Sequence, residues 1–193
     1  MRNRLHVAAR VGAALLMLVA ADATGRRLAA STPAADSLVA DAAMRGDSAT
    51  LRTLLRDGAD VNAAQGDGMT ALHWTALNGD LATMNVVLYA GASTEPLTRI
   101  GRYTPLHLAS SRGHAAAVAR LLEAGSKPGA VTATGVQAIH LAAQAGSTEA
   151  LTALIAKGAD VNVKDATHGR TPLVFAASQN RLEAMTLLIA EPS

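Results

Sequence analysis

Two short motifs recur along this chain with a common period, and the recurrence restricts the fold more than any other feature. The first motif reads MTALHWTA at 69–76, YTPLHLAS at 103–110, VQAIHLAA at 136–143 and RTPLVFAA at 170–177. The second motif, glycine followed by alanine or serine, begins at 58, 91, 125 and 158. Each motif returns every 33 or 34 residues. Two unrelated motifs that keep one period indicate an array of structural repeats.

The copies of the first motif resemble the ankyrin repeat. Its signature T-P-L-H-x-A is intact at Thr104–Ala109 and altered but recognisable in the other three copies. The resemblance covers residues 37–191 and implies an all-α fold, an ankyrin-repeat solenoid of about five helix-turn-helix units with hairpin loops. It also implies a non-catalytic protein–protein interaction scaffold, whose partner binds at the hairpin tips and on the concave helix face.

The period also predicts the boundaries of the repeats. Two of the hairpins, Leu97–Tyr103 and Lys164–Arg170, carry one residue more than the others. Insertions in repeat arrays fall in loops and often on the binding face. The five repeats are predicted at 37–66, 67–100, 101–133, 134–167 and 168–191.

Within each repeat, polar residues and glycines predict where the helices begin and end. Thr70 is expected to cap a first helix over 71–78, and Gly79 to turn the chain into a return helix. In the last repeat Asn180 stands in place of that glycine. The turn tolerates this change, because asparagine adopts positive φ more readily than most residues. Ser37 is expected to cap the first helix of the array.

The N-terminal segment predicts an exported protein. An apolar run over 11–21 follows Arg2, Arg4 and Arg10. Small residues stand before a predicted cleavage site after Ala23. These features predict a signal peptide over 1–23, a flexible linker over 24–36, and a periplasmic or secreted bacterial protein. The run is too short for a stable membrane span in the mature form, because spanning takes ~20 apolar residues. A mitochondrial presequence is the alternative.

Charge and cysteine content exclude several classes of partner and chemistry. The chain has 17 basic and 15 acidic residues and no cysteine. Removal of residues 1–23 takes away three arginines and one aspartate, which leaves fourteen of each sign. Without a basic field, nucleic acid is not expected as a partner. Without cysteine, there is neither a disulfide nor a thiolate metal site.

The repeated histidines do not predict catalysis. His73, His107 and His140 occupy equivalent positions, and equivalent positions lie ~10 Å apart in packed helices. Imidazole–metal bonds are ~2 Å long, so neighbouring histidines cannot share an ion. The resemblance implies instead that each histidine bonds the threonine three residues earlier and nearby backbone. No phosphate loop, catalytic triad or H-E-x-x-H is present. We therefore predict no catalytic residues, no cofactor and no dedicated metal site.

The resemblance also implies where a protein partner binds. The second tip is chemically distinctive, since it combines two arginines, a tyrosine and an isoleucine in a lengthened loop, which suits an acidic segment of a partner. Arginine and tyrosine are enriched at binding hot spots. The predicted partner-binding residues are Asp67, Met69, Leu77, Asn78, Arg99, Ile100, Arg102, Tyr103, Ser111, Arg112, Thr134, Val136, Gln144, His168 and Arg170.

Two alternatives to a free-standing binding scaffold remain open. The chain would also serve as the regulatory or targeting module of a larger envelope enzyme or secreted effector that continues beyond residue 193. Alternatively, Leu187 and Ile189 would leave an apolar surface at the last repeat, through which copies of the chain assemble.

Overall fold

The repeats form paired helices stacked in two rows. A computed structural model describes residues 37–191, and within this range ten α-helices form and no strand does. The first helices of the repeats pack against one another in one row, and most of the second helices pack in another. The helices are α1 Leu38–Met44, α2 Ser48–Arg56, α3 Ala71–Asn78, α4 Leu81–Tyr89, α5 Pro105–Ser111, α6 Ala115–Glu123, α7 Ala138–Ala145, α8 Thr148–Ala156, α9 Pro172–Ser178 and α10 Leu182–Ala190. The predicted all-α solenoid is confirmed.

Equivalent apolar residues of successive repeats build one continuous core. Leu72, Leu106 and Ile139 are at most 1% exposed. Leu173, the equivalent residue of the last repeat, is partly buried against the same core. Small residues also recur at equivalent positions, and Ala109 and Ala142 are fully buried. Since these side chains are small, the first helices approach closely, so the core needs few aromatic residues.

The helix starts follow the prediction in the middle repeats but not in the first. The Thr70 hydroxyl accepts the backbone N–H of His73 at 3.4 Å, and the Thr104 hydroxyl accepts that of His107 at 3.3 Å. The predicted side-chain cap at Ser37 is wrong. Ser37 has φ −87° and ψ −1°, which is already helical, and its hydroxyl bonds the carboxylate of Asp41 at 3.4 Å. Capping needs an extended residue whose side chain turns back to the first amides.

The last repeat exposes part of its apolar face. Ile189 is 68% exposed, and Leu182 of the same helix is also exposed. Leu187, the other residue expected at this surface, packs against the core and is only partly exposed. Asn180 has φ 55°, as its place at the glycine position of the turn predicts.

The N-terminal predictions fall outside the described residues. Neither the signal peptide at 1–23 nor the linker at 24–36 lies within residues 37–191. Among the helices that the structure describes, none combines the length and apolar character needed to cross a bilayer.

Candidate binding surface

The recurring histidines connect each repeat to the hairpin of the next one. The backbone N–H of Thr70 donates to Nδ1 of His73 at 3.1 Å, and Nε2 of His73 lies 3.0 Å from the carbonyl of Tyr103. An amide can only donate and a carbonyl can only accept. His73 is therefore the neutral tautomer that carries its proton on Nε2. This one side chain links the start of α3 to the tip of the following hairpin.

The same arrangement recurs in the next two repeats. Nε2 of His107 lies 3.1 Å from the carbonyl of Ala130 and 3.2 Å from that of Val136. Nε2 of His140 lies 3.1 Å from the carbonyl of Arg170. The backbone N–H of Gln137 donates to Nδ1 of His140 at 3.1 Å, as that of Thr70 does to His73. In the last repeat Val174 stands in place of the histidine, so the series of histidine links ends at His140.

Burial keeps these imidazoles neutral. Desolvation lowers the pKa of His107 to about 4, against an ordinary 6.5, and outweighs the opposing effect of its two carbonyl partners. Desolvation likewise lowers the pKa of His73 and of His140. Protonation would place a hydrogen on Nδ1 facing the backbone amide that donates to it. The histidines are structural linkers that hold the hairpins in place.

The hairpin tips are also joined to one another through the backbone. The N–H of Arg99 donates to the carbonyl of Asp67 at 2.8 Å. The N–H of Ala133 donates to the carbonyl of Gly101 at 2.9 Å, and the N–H of Ala166 to that of Thr134 at 3.1 Å. Since each tip is bonded to its neighbour, the tips form one continuous edge with a fixed backbone.

The extra residue in the Leu97–Tyr103 hairpin is accommodated by two consecutive residues in the left-handed region. Gly101 has φ 78° and Arg102 has φ 55°. A left-handed residue other than glycine costs roughly 1–2 kcal/mol. The Thr98 hydroxyl stabilises the turn, because it accepts the Tyr103 N–H at 2.9 Å and donates to the Ile100 carbonyl at 2.8 Å. The loop therefore presents Arg102 in a defined direction.

A shallow pocket of about 230 Å³ opens between the first and second tips. Met69, Ile100 and the ring of Tyr103 supply its apolar wall, and Asp67 and Thr98 complete it. Ile100 is 84% exposed, whereas Met69 is only 8% exposed. Met69, a predicted partner-binding residue, is therefore mostly buried and meets solvent only as part of the pocket lining.

Charged groups of the tips fall into two kinds. Arg99 and Arg102 are exposed, and neither has a carboxylate within 4.0 Å among residues 37–191. Arg170, also a predicted partner-binding residue, is exposed, and its guanidinium pairs with Asp165 at 2.9 Å and lies 4.7 Å from the centroid of the Phe175 ring. Arg170 therefore makes an internal ion pair, whereas Arg99 and Arg102 make none among the described residues.

The other predicted binding residues are reachable from solvent to different degrees. Leu77 and Val136 are half-buried, and Tyr103 is half-buried beside the pocket. The remaining members of the predicted set are exposed, namely Asp67, Asn78, Ser111, Arg112, Thr134, Gln144 and His168.

Asp165 shapes this edge, although the sequence analysis did not predict its role. Asp165 is 3% exposed and accepts the backbone N–H groups of Arg170 and His168 at 3.0 and 2.9 Å, and these bonds lower its pKa, the one from Arg170 most. Asp165 occupies the position in its hairpin that Thr98 occupies in the Leu97–Tyr103 hairpin. This equivalence was the hint that the sequence offered. The half-buried Trp74 packs against the core and donates its Nε1–H to Gln65 at 2.8 Å.

Stacked helix pairs with tips joined edge to edge define a solenoid whose exposed edge suits the binding of another protein. The profile of the family described as "Ankyrin repeats (3 copies)" matches residues 39–132 and again 106–193. The chain belongs to the ankyrin-repeat family. Such repeats imply a protein partner, and the repeat array is itself non-catalytic.

Curated relatives share this array as a small part of longer proteins. "Putative palmitoyltransferase ZDHHC13" of Danio rerio is 31% identical over 128 residues, which are 66% of this chain and 20% of the relative. "Palmitoyltransferase Hip14" of Drosophila melanogaster is 36% identical over 103 residues, 53% of this chain and 16% of the relative. "Ankyrin repeat protein nuc-2" of Neurospora crassa is 27% identical over 181 residues, which cover 77% of this chain and 17% of the relative. These relatives are eukaryotic and give no support to a bacterial source.

Proposed function

We propose that the chain binds a segment of another protein through the first and second hairpin tips. We call this site the tip surface and define it by Asp67, Arg99, Ile100, Arg102 and Tyr103. The observation that carries the proposal is the exposure of Ile100, at 84%, between two arginines without an ion-pair partner among the described residues. A protruding aliphatic side chain is costly to leave in water and gains most from a partner.

The fixed backbone of the tips supports this function. Arg99 is bonded through its N–H to Asp67, and Tyr103 is held by His73 and by the Thr98 hydroxyl. A partner that binds an ordered loop loses less conformational entropy than one that must order it first. Arginine and tyrosine in such a loop have the composition of a binding hot spot.

We extend the site along the first helices, as ankyrin-like arrays are expected to use their concave face. Near the ends of these helices stand Asn78, Ser111, Arg112 and Gln144, all of them exposed. Arg112 adds a further positive charge in the same repeat as Arg102. We expect a partner segment that is acidic overall to lie across the tips and these helix ends.

A pull-down with matched variants tests this proposal. The full chain is compared with a tip variant that carries Arg99→Ala, Arg102→Ala and Tyr103→Ala. A control variant carries Arg52→Ala, Arg56→Ala and Tyr89→Ala, which removes the same residue types from exposed positions on α2 and α4. We expect proteins retained by the full chain and the control to be lost from the tip variant. If the tip variant retains them, the proposed site is wrong.

A second candidate function is that of a module within a larger enzyme. It is favoured by the relatives, in which about a fifth or less of the length aligns with this chain and whose names include palmitoyltransferases. Sequencing of the transcript downstream of the codon for Ser193 tests it. A reading frame that continues into a catalytic domain supports this function, and a stop codon directly after Ser193 contradicts it.

We also propose that the protein is exported and loses residues 1–23. The basic start and the apolar run over 11–21 support this proposal. Mass spectrometry of the protein purified from its own cells is expected to find Thr24 at the N-terminus. An intact chain that begins at Met1 and stays in the cytosol would contradict it.

A further inference from the structure

We infer that the pocket between the first and second tips is a specificity site for one apolar side chain flanked by carboxylates in the partner. This inference rests on the proposed function and adds to it the chemistry of the bound segment. It concerns the pocket lined by Met69, Ile100 and Tyr103, together with the charges at its rim.

The size and lining of the pocket select an apolar anchor. Its volume is about 230 Å³. An apolar cavity of about 150 Å³ accommodates benzene, so this pocket is large enough for a leucine, isoleucine or aromatic side chain. Met69 forms a mostly buried part of the lining and Ile100 an exposed part. An anchor that enters would cover the exposed flank of Ile100 and remove apolar surface from water on both molecules.

The pocket keeps its shape because its lining residues are held by other contacts. The Tyr103 ring meets the His107 ring edge to face, with centroids 6.1 Å apart. A Cβ on Gly101 would collide with the Tyr103 ring, so only glycine lets the ring lie against the turn. Met69 receives support from Asp67, whose carboxylate accepts the Met69 N–H at 2.9 Å.

The charges at the rim select the residues that flank the anchor. Arg99 and Arg102 stand on either side of Ile100 in the sequence, and both are exposed. Asp67 is the acidic group of the pocket lining, and the second tip contributes the two arginines. The net charge of the rim is therefore +1. Carboxylates close to the anchor would pair with Arg99 and Arg102, and guanidinium–carboxylate pairs add orientation as well as affinity.

A peptide-display selection tests the inference on the full chain. The probe is a phage library of random twelve-residue peptides, selected separately against four proteins. These are the unmodified chain, a charge variant with Arg99→Glu and Arg102→Glu, a wall variant with Ile100→Ser, and a control with Arg52→Glu and Arg56→Glu on α2. Circular dichroism melting verifies that each variant is folded, which we expect because all the changed side chains are exposed.

We expect the unmodified chain and the control to enrich peptides with a large aliphatic or aromatic residue and Asp or Glu within two positions of it. The charge variant is expected to keep the anchor preference but to replace Asp and Glu by Lys and Arg. The wall variant is expected to lose at least tenfold in affinity for the best peptide.

The results distinguish failure of this inference from failure of the proposed function. One outcome is that the selected peptides share a motif of different chemistry, lose binding to the pull-down tip variant, and bind the charge and wall variants unchanged. This outcome overturns the inference and leaves the proposed function standing. Peptides that bind equally to the tip variant, or a selection without any enrichment, overturn both.

Discussion

The Tyr103 ring meets the His107 ring edge to face at a centroid distance of 6.1 Å, although Tyr103 lies on a hairpin tip and His107 inside helix α5. His107 is fully buried and bonds the hairpin that follows it. A residue of the candidate binding surface is thus packed on a residue that holds the solenoid together. Stability of the stack and shape of the tip surface depend on the same side chains.

Replacement of His107 by alanine is expected to lower the free energy of unfolding by about 3 kcal/mol, because it leaves the Thr104 N–H and the carbonyls of Ala130 and Val136 without their partner. Urea denaturation measures the change. The control is His168→Ala, which removes an exposed imidazole and should change stability by less than about 0.5 kcal/mol. Equal effects of the two substitutions would refute a linking role for His107.

Acidification from pH 6.5 to pH 4 is expected to destabilise the fold. The pKa of His107 is about 4 in the folded chain and 6.5 in the unfolded chain. Between these values the unfolded chain binds more protons, so the free energy of unfolding decreases as the pH falls. Below pH 4 the shift at His107 lowers the free energy of unfolding by roughly 3 kcal/mol relative to its value above pH 6.5. The lowered pKa of His73 and of His140 acts in the same direction.

Urea denaturation at several pH values measures this dependence. The lowered pKa of Asp165 destabilises only as the pH falls below its ordinary 3.8, so it leaves the higher window undisturbed. His107→Gln should make the dependence between pH 6.5 and 4 shallower. A free energy of unfolding that stays constant across this window would show that the histidines are not held neutral.

Replacement of Arg102 by glycine separates binding from stability. Arg102 has φ 55°, and glycine adopts this conformation without steric cost. We expect the free energy of unfolding to stay unchanged or rise by about 1 kcal/mol, while the proteins found by pull-down bind more weakly. Arg99→Gly serves as the comparison, since Arg99 is not among the residues with positive φ and should gain no stability. Unweakened binding by Arg102→Gly would remove Arg102 from the site.

A methyl group at Gly68 is expected to disturb the joined tips. Gly68 has φ +86°, and a Cβ there would lie 2.9 Å from the backbone nitrogen of Arg99 and 3.0 Å from the carbonyl oxygen of Leu97. Gly68→Ala should cost about 2 kcal/mol and speed hydrogen exchange at the Arg99 amide. Gly66→Ala, two residues away, meets nothing within 4 Å and should leave both quantities nearly unchanged.

The spacing of two motifs predicted an array of repeats, and the resemblance to the ankyrin repeat predicted the helices and their stacking, in which every repeat buries the same apolar face against its neighbours. Leu72 and Leu106 entered the core for that reason, and Asn180 took positive φ where the period required a turn. Side-chain directions at the tips could not be predicted in the same way. They depend on the hairpin register.

Two residues show how the register decides the outcome. Met69 is only 8% exposed at its tip, where its backbone N–H donates to the Asp67 carboxylate. Arg170 pairs with Asp165, a contact that the periodic pattern does not predict, since two other tips use Thr98 and Thr132 at that place. The sequence therefore located the edge of the solenoid, while the structure shows the contacts of the individual side chains on it.

Site-specific photocrosslinking from Ile100 tests the central claim most directly. Benzoylphenylalanine is introduced at Ile100 in one form of the chain and at Tyr89, which is 97% exposed on α4, in another. After irradiation in the cells that make the protein, we expect a discrete crosslinked partner from position 100 and none from position 89. A partner crosslinked from Tyr89 but not from Ile100 would contradict binding through the tip surface.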